Sequence, residues 1–180
     1  MARIPLTDGS AAPEDLLAAI LRRRGGALID LDRLLLLSPP LAEGWNVMIG
    51  KIRSELALSP VLLELAICVV AALNRADYEM HHHAPLFLRH GGTSAQVDAL
   101  AILADDPHAL DESPLFDPTQ RLVVRMAVAS TKDVAVDADM FAAARAALGD
   151  DRLLFELVAT IAAYNMVSRV LVAFELTPEG

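Results

Sequence analysis

Residues 64–83 read ELAICVVAALNRADYEMHHH, and this stretch decides the fold. From Leu65 to Leu73 the chain is apolar with no polar alternation, which predicts a buried helix rather than a half-exposed strand. Asn74-Arg75-Ala76 is a joint of only three residues. A second helix beginning near Ala76-Asp77 must therefore fold back antiparallel to the first. Glu64 sits inside this otherwise apolar helix, flanked by Leu63 and Leu65. A carboxylate in that setting has to find a partner, reach water, or keep its proton. On the second helix Glu79 and His83 are four residues apart and share a face. If that face packs toward Glu64, two carboxyl groups and one imidazole converge.

Such a cluster can move protons. Desolvation raises a carboxyl pKa and a neighbouring carboxylate raises that of an imidazole, bringing both toward neutrality, where acid–base catalysis is efficient. Tyr78 is placed to donate a hydrogen bond to the group. On spacing alone the plainer reading is favoured: Glu64 and His83 as a buried pair that fixes the packing of two helices. His81-His82-His83 invites a metal site. Consecutive helical residues point about 100° apart, so three in a row cannot close on one ion. The expectation is no metal and no cofactor, with at least one of the three histidines simply solvated. Cys68, four residues after Glu64, faces the same way and can line the same pocket, as can His82. It is the only cysteine, with no second thiol to resolve a sulfenic acid.

Outward from this centre the helix signals continue. Upstream, Pro13 opens a segment ending at Arg22-Arg23-Arg24 and Gly25-Gly26, where three arginines complement the negative end of a helix. That reading is preferred over an anion site. Helices follow at 28–37, stopped by Ser38-Pro39-Pro40, and at 41–56, with Trp45, Met48, Ile49 and Ile52 as a core or interface stripe. Ser59-Pro60 starts the Glu64 helix. Downstream, Pro85 should kink or break the His83 helix, and Gly91-Gly92 ends it. Thr93 to Gln96 matches a capping box. The Asp- and Pro-rich stretch 105–118 is the expected hinge. Helices are then predicted at 118–131, 139–148 and 151–174. Within the last, Glu156, Tyr164, Asn165 and Arg169 interrupt an aliphatic run and need partners, most simply an inter-helix or inter-subunit network.

Bulk properties bound the function. The 180 residues suit one all-helical domain, with 1–38 as an extension, 40–104 bearing the motif and 115–174 closing the fold. Hydrophobic residues make up 54% and aromatics only 4%. So much aliphatic surface is hard to hide in a small monomer, which predicts a homo-oligomer. The net charge of −9 argues against nucleic acid as a partner. The run 153–174 approaches membrane-spanning length, but its Glu156 and Arg169 would be costly in lipid, so it is read as a buried protein helix. With no apolar leader in the first residues and no possible intrachain disulfide, a reducing, cytoplasmic setting is expected.

Residues 64–83 also resemble the core motif of the carboxymuconolactone decarboxylase and alkylhydroperoxidase-D-like superfamily. The branch without thiols carries a Glu-bearing helix followed by Tyr-Glu-Trp, two variable positions and His. Tyr78, Glu79 and His83 match, with Met80 in place of Trp. Ala84-Pro85-Leu86, Gly91-Gly92 and Tyr164 to Arg169 add to the likeness, which spans roughly residues 40 to 174. The resemblance implies an all-α, alkylhydroperoxidase-D-like fold and an oligomer. In the thiol branch, a Cys-x-x-Cys pair works with a Glu and a His; here Glu64 and His83 match that Glu and His. Ala76 and Glu79 stand at the two cysteine positions, which argues against thiol peroxidase chemistry. The metal-free decarboxylases imply acid–base work by Glu64, Glu79 and His83 on a small organic acid or lactone, with Tyr78, His82 and Cys68 binding substrate. A peroxidase-related protein using Cys68 with an external thiol, and a non-catalytic helical oligomer, stay open as alternatives.

Overall fold

The computed structural model describes residues 2–178, which form two compact units. Among the described residues there are nine α-helices, one 3-10 turn and no strand. The smaller unit takes the chain up to Leu56 together with the stretch from Phe174 onward. It holds α1 (Glu14–Arg24), α2 (Asp30–Leu35) and α3 (Pro39–Ser54). Leu16, Ile20, Leu36 and Ala42 form its core. Gly25 ends α1 in the left-handed conformation, φ 79°, returning its N–H to the Leu21 carbonyl. The Arg3 N–H donates to the Phe174 carbonyl at 2.9 Å, which joins the two ends of the chain within this unit.

The larger unit, Ala57–Ala173, is built around α4 (Pro60–Leu73). Ser59 and Pro60 occupy its N-cap and first position as the sequence indicates, although the Ser59 hydroxyl makes no capping bond. Leu65, Ala66, Ile67, Cys68, Val69 and Val70 are wholly enclosed, so α4 is a central rod rather than an amphipathic surface helix. The fold-back is as expected: α5 (Asp77–Arg89) packs along α4 after a tight joint in which Arg75 takes φ 54°. Pro85 does not interrupt α5. Pro85 and His81, whose carbonyl loses its donor, are both exposed, where solvent can compensate the missing bond.

The remaining helices of this unit are α6 (Ser94–Leu100), running into a 3-10 turn (Ala101–Ala104), then α7 (Pro118–Lys132), α8 (Ala138–Leu148) and α9 (Asp151–Ala173). The capping box at α6 forms, with the Thr93 N–H donating to Gln96 Oε1 at 2.9 Å. The hinge expected at 105–118 is not where the units divide; both flanks belong to the larger one. The physical reason is Gln96, whose amide nitrogen donates to the Leu115 carbonyl and to Gln120 Oε1, while Phe116 is buried.

α4 is anchored near both ends by polar side chains of α9. Before its first turn, Glu156 Oε2 accepts the Ala57 and Leu58 N–H groups at 2.7 and 2.8 Å. At its far end Asn74 donates to Asn165 Oδ1 and Ser168 Oγ at 3.1 and 2.7 Å, and Asn165 in turn donates to Thr131 of α7. Arg169 donates to both the carbonyl and side-chain oxygens of Asn165. The polar interruptions of the last helix are thus an inter-helix network. By length and composition alone α9 could cross a membrane. It packs Glu156, Thr160, Asn165 and Ser168 into the protein instead of presenting a uniform apolar surface.

Candidate functional site

Anchoring α4 near both ends fixes where Glu64 points. It projects from the second turn of α4 toward α5, and His83 projects from the second turn of α5 toward it. His83 Nδ1 and Glu64 Oε2 are 2.6 Å apart, and both side chains are about as buried as the core, each 5% exposed. At that distance the bond is charge-assisted. If Nδ1 carries the hydrogen and donates it to the carboxylate, the ring is held in one tautomer, and Nε2 is the nitrogen that would exchange a proton with a substrate. The imidazole also packs edge-on against Tyr164 of α9, centroids 4.9 Å apart and planes at 85°.

Glu79, one turn before His83 on α5, is 2% exposed. Neither of its carboxyl oxygens has a hydrogen-bond partner. Burial pushes its pKa well above the ordinary value, so it holds its proton to higher pH than a solvated glutamate. A buried carboxyl with nothing to bond is an unusual expense for a fold, and such groups mark places where something else is meant to bind. Cys68 is fully enclosed beside the same groups. Burial, and then the charges of Glu64 and Glu79, push its thiol far above the ordinary range. It is a poor nucleophile there.

The three histidines diverge as helical geometry requires. His83 points inward, His81 is exposed, and His82 lies between. The His82 ring stacks on Tyr78 at 4.4 Å, and its Nδ1 lies 2.9 Å from the Tyr78 carbonyl. Tyr78 itself is buried. Among the described residues no three His, Cys, Asp or Glu side chains are grouped to hold a metal ion. The geometry therefore joins Glu64 to His83, sets Cys68 and Glu79 nearby, and pairs Tyr78 with His82. Tyr164 is the contact that spacing around residues 64–83 could not reveal. Its sequence signals are an aromatic hydroxyl inside an aliphatic run, 81 residues after His83, and its place in the Tyr164 to Arg169 stretch of the family likeness.

The state of Glu79 has a consequence for stability. Its folded pKa lies above the unfolded value near 4.5, so its contribution is intact below that pH and is lost as pH rises toward the folded pKa. Glu79→Gln removes this titration. Urea unfolding of both proteins across pH 4 to 9 should show the variant gaining on the wild type with a slope approaching about 1.4 kcal/mol per pH unit within that window. The amide adds a constant offset that does not affect the slope. A difference that stays flat with pH would show Glu79 to be ionised in the native state.

Comparison with known proteins bears on the family and the fold. Residues 39–114 match the model of the carboxymuconolactone decarboxylase family. No curated protein matches the chain in sequence. Among solved structures it is similar to a peroxidase-related protein from Silicibacter sp. TM1040, with TM-score 0.81, 16% identity, and coverage of 99% of this chain and 92% of that one. It is equally similar to a peroxidase-related protein from Ralstonia eutropha JMP134 described as an alkylhydroperoxidase AhpD core, with TM-score 0.82, 18% identity, and coverage of 99% and 92%. A third is the debrominase Bmp8, solved as a Cys-to-Ala variant with 2,3,4-tribromopyrrole, at TM-score 0.76, 18% identity, and coverage of 100% and 95%. At such identities these likenesses speak to the fold.

Proposed function

We propose that the chain, whose residues 39–114 match the carboxymuconolactone decarboxylase family model and whose fold is similar to an alkylhydroperoxidase AhpD core, is a member of that superfamily and a cofactor-free acid–base enzyme acting on a small organic acid or lactone. The observation that carries the proposal is the Glu64–His83 bond beside a carboxyl group, Glu79, that has no partner in the protein. A purely structural pair would leave no reason to bury a third, unsatisfied acid.

In this reading His83 moves a proton between Nε2 and a substrate carbon. Glu64 orients the ring and stabilises it when charged. Decarboxylation breaks a carbon–carbon bond, releases carbon dioxide and leaves the electron pair with the carbon skeleton that stays bound. A conjugated carbonyl takes up that pair as an enolate, Glu79 lends its proton to the enolate oxygen, and His83 then protonates the carbon as the enol proton returns to Glu79 and the carbonyl re-forms; His83 regains its proton from solvent. Tyr78, stacked on His82, and Cys68 would line the substrate space. That a protein of this fold binds a small heterocycle supports a small-molecule substrate. The peroxidase-related neighbours keep thiol chemistry in view, but the enclosed Cys68 argues against it. The deciding assay supplies carboxylated lactones without metal or cofactor and measures released carbon dioxide, in parallel with hydroperoxide consumption under dithiothreitol. Decarboxylation is expected. Hydroperoxide loss that depends on Cys68, with no carbon dioxide, would overturn the proposal.

A homo-oligomer, at home in a reducing cytoplasm, is part of the same proposal. Along α9, Phe155, Ala162, Met166 and Ala173 are all exposed at spacings of seven, four and seven, a largely apolar stripe on the side away from the core that only Arg169 interrupts. Phe155 is 73% exposed. Burying one such ring is worth about 2 kcal/mol, and a two-fold interface counts it twice. Light scattering should find more than one subunit, and Phe155→Glu should shift the assembly toward monomer. A wild type that is monomeric at all concentrations would remove this part of the proposal.

A further inference from the structure

Both oxygens of Glu79 are closed to solvent, and neither meets a hydrogen-bonding group of the protein. A carboxylate does not keep its charge in such a place, because no hydrogen bond or counter-ion offsets the hydration it has lost. His83, one turn further along α5, is already engaged by Glu64. Burial alone raises the Glu79 pKa, with no neighbouring charge drawing it back down. In the neutral form one oxygen carries an O–H donor and the other is an acceptor, side by side on one carbon. Glu79 therefore shows a specific polar edge to whatever ring enters beside it.

That edge has a chemical complement. A small lactam ring forces its amide into the cis form, so its N–H and C=O lie on adjacent atoms and point the same way. A neutral carboxyl and a lactam then close two hydrogen bonds at once, each donating one and accepting one. A lactone of the same shape carries a ring oxygen where the lactam carries N–H. Its carbonyl accepts the Glu79 proton, but the second Glu79 oxygen stays buried and faces another acceptor. A carboxylate set against Glu79 offers no donor either, and it brings a negative charge close to Glu64 and Cys68. A buried polar group that one ring satisfies and its isostere leaves unpaired is what gives a site strong discrimination.

We propose that the small ring taken up beside Glu64 and His83 is a lactam, held by Glu79 through its adjacent N–H and C=O. A carboxylated lactam is still a small organic acid, so the inference rests on the acid–base reading and names the substrate class within it. The test is an NMR titration of the full chain with 2-pyrrolidinone and with γ-butyrolactone, rings that differ only in N–H against O. Saturation is read after prolonged incubation, since both Glu79 oxygens are enclosed. The lactam is expected to saturate and to bind about ten-fold or more tightly than the lactone. Glu79→Gln keeps a C=O beside an N–H and should retain that preference, whereas Glu79→Leu should abolish it. Between pH 4 and 9, wild-type affinity for the lactam should fall as Glu79 loses its proton, and fall less in Glu79→Gln. Glu64 and Cys68 of α4, Tyr78, His82 and His83 of α5 and Tyr164 of α9 are common to both proteins, so the difference isolates Glu79. Equal affinity for the two rings, or a preference unchanged in Glu79→Leu, would overturn the proposal. So would no saturable binding of either ring, the result if Glu79 bonds only an enclosed water. Benzamidine binding that tightens as pH rises would overturn it too, as the mark of an ionised carboxylate. The acid–base reading is tested apart from this by carbon dioxide release, and it survives a preference for the lactone.

Discussion

A His83→Ala substitution is expected to lower turnover by about 10² to 10⁴-fold and to destabilise the protein by about 3–5 kcal/mol. The first effect follows if Nε2 is the group that exchanges a proton with substrate. The second follows from geometry alone. Glu64 is 5% exposed and His83 Nδ1, at 2.6 Å, is the partner its carboxylate has been given. Remove the imidazole and a buried carboxylate remains without compensation. It must then take up a proton or open the helix pair to water. Either consequence shows as a lower urea midpoint.

Because one substitution has both effects, a second is needed to separate them. Replacing both partners, Glu64→Leu with His83→Leu, takes the charge out of the interior altogether, and buried pairs exchanged for apolar groups of similar volume are often neutral in stability. The double variant should therefore recover most of the lost midpoint while turnover stays absent. The coupling between the two positions should exceed about 2 kcal/mol. If the double variant regains stability and activity together, the pair is structural and the catalytic proposal falls. If His83→Ala leaves turnover unchanged, it falls at once.

How far the sequence reaches depends on whether a partner is local. The α4–α5 pair is legible because every signal lies within a few residues: Ser59-Pro60 starts one helix, the three-residue joint reverses the chain, and the four-residue spacing of Glu79 and His83 sets a face. The capping box at Thr93 and the boundaries of α7, α8 and α9 are legible for the same reason. Partners distant in sequence are another matter. That Arg23 and Arg24 close on Asp32 was not visible, since Asp32 lies in a segment whose leucines alone mark it as helix. The stretch 105–118 lies inside the larger unit, tied down by Gln96, which is needed locally as a cap and also holds Leu115 and Gln120. The stripe read on α3 buries Ile49 and Ile52 but leaves Met48 exposed. The orphaned carboxyl of Glu79 could not be foreseen, because a lack of partners is a property of the whole surrounding shell.

Glu156 gives the sharpest test of how the scaffold serves the site. Glu156→Ala is expected to cost about 3 kcal/mol. The carboxylate is 6% exposed and accepts the N–H groups of Ala57 and Leu58 on one oxygen and Arg152 Nε, at 2.8 Å, on the other. Leu58 is itself buried, so its N–H is left without water as well as without an acceptor. Burial works against ionisation of Glu156, but the bonds from Arg152, Leu58 and Ala57 outweigh it and hold the pKa below the ordinary 4.5. The sign follows: the contribution is complete above that value and is lost as pH falls through the lower folded pKa. Wild-type unfolding midpoints should therefore drop in acid more steeply than those of Glu156→Gln. Hydrogen exchange should quicken first at the Ala57 and Leu58 amides, because the anchor before α4 is what the variant releases. Glu64 stands on the second turn of α4, so turnover should fall with the loosened helix even though Glu156 touches none of the proposed reacting groups. A Glu156→Ala protein with unchanged midpoint and unchanged exchange would show that the register of α4 is set by its apolar packing alone.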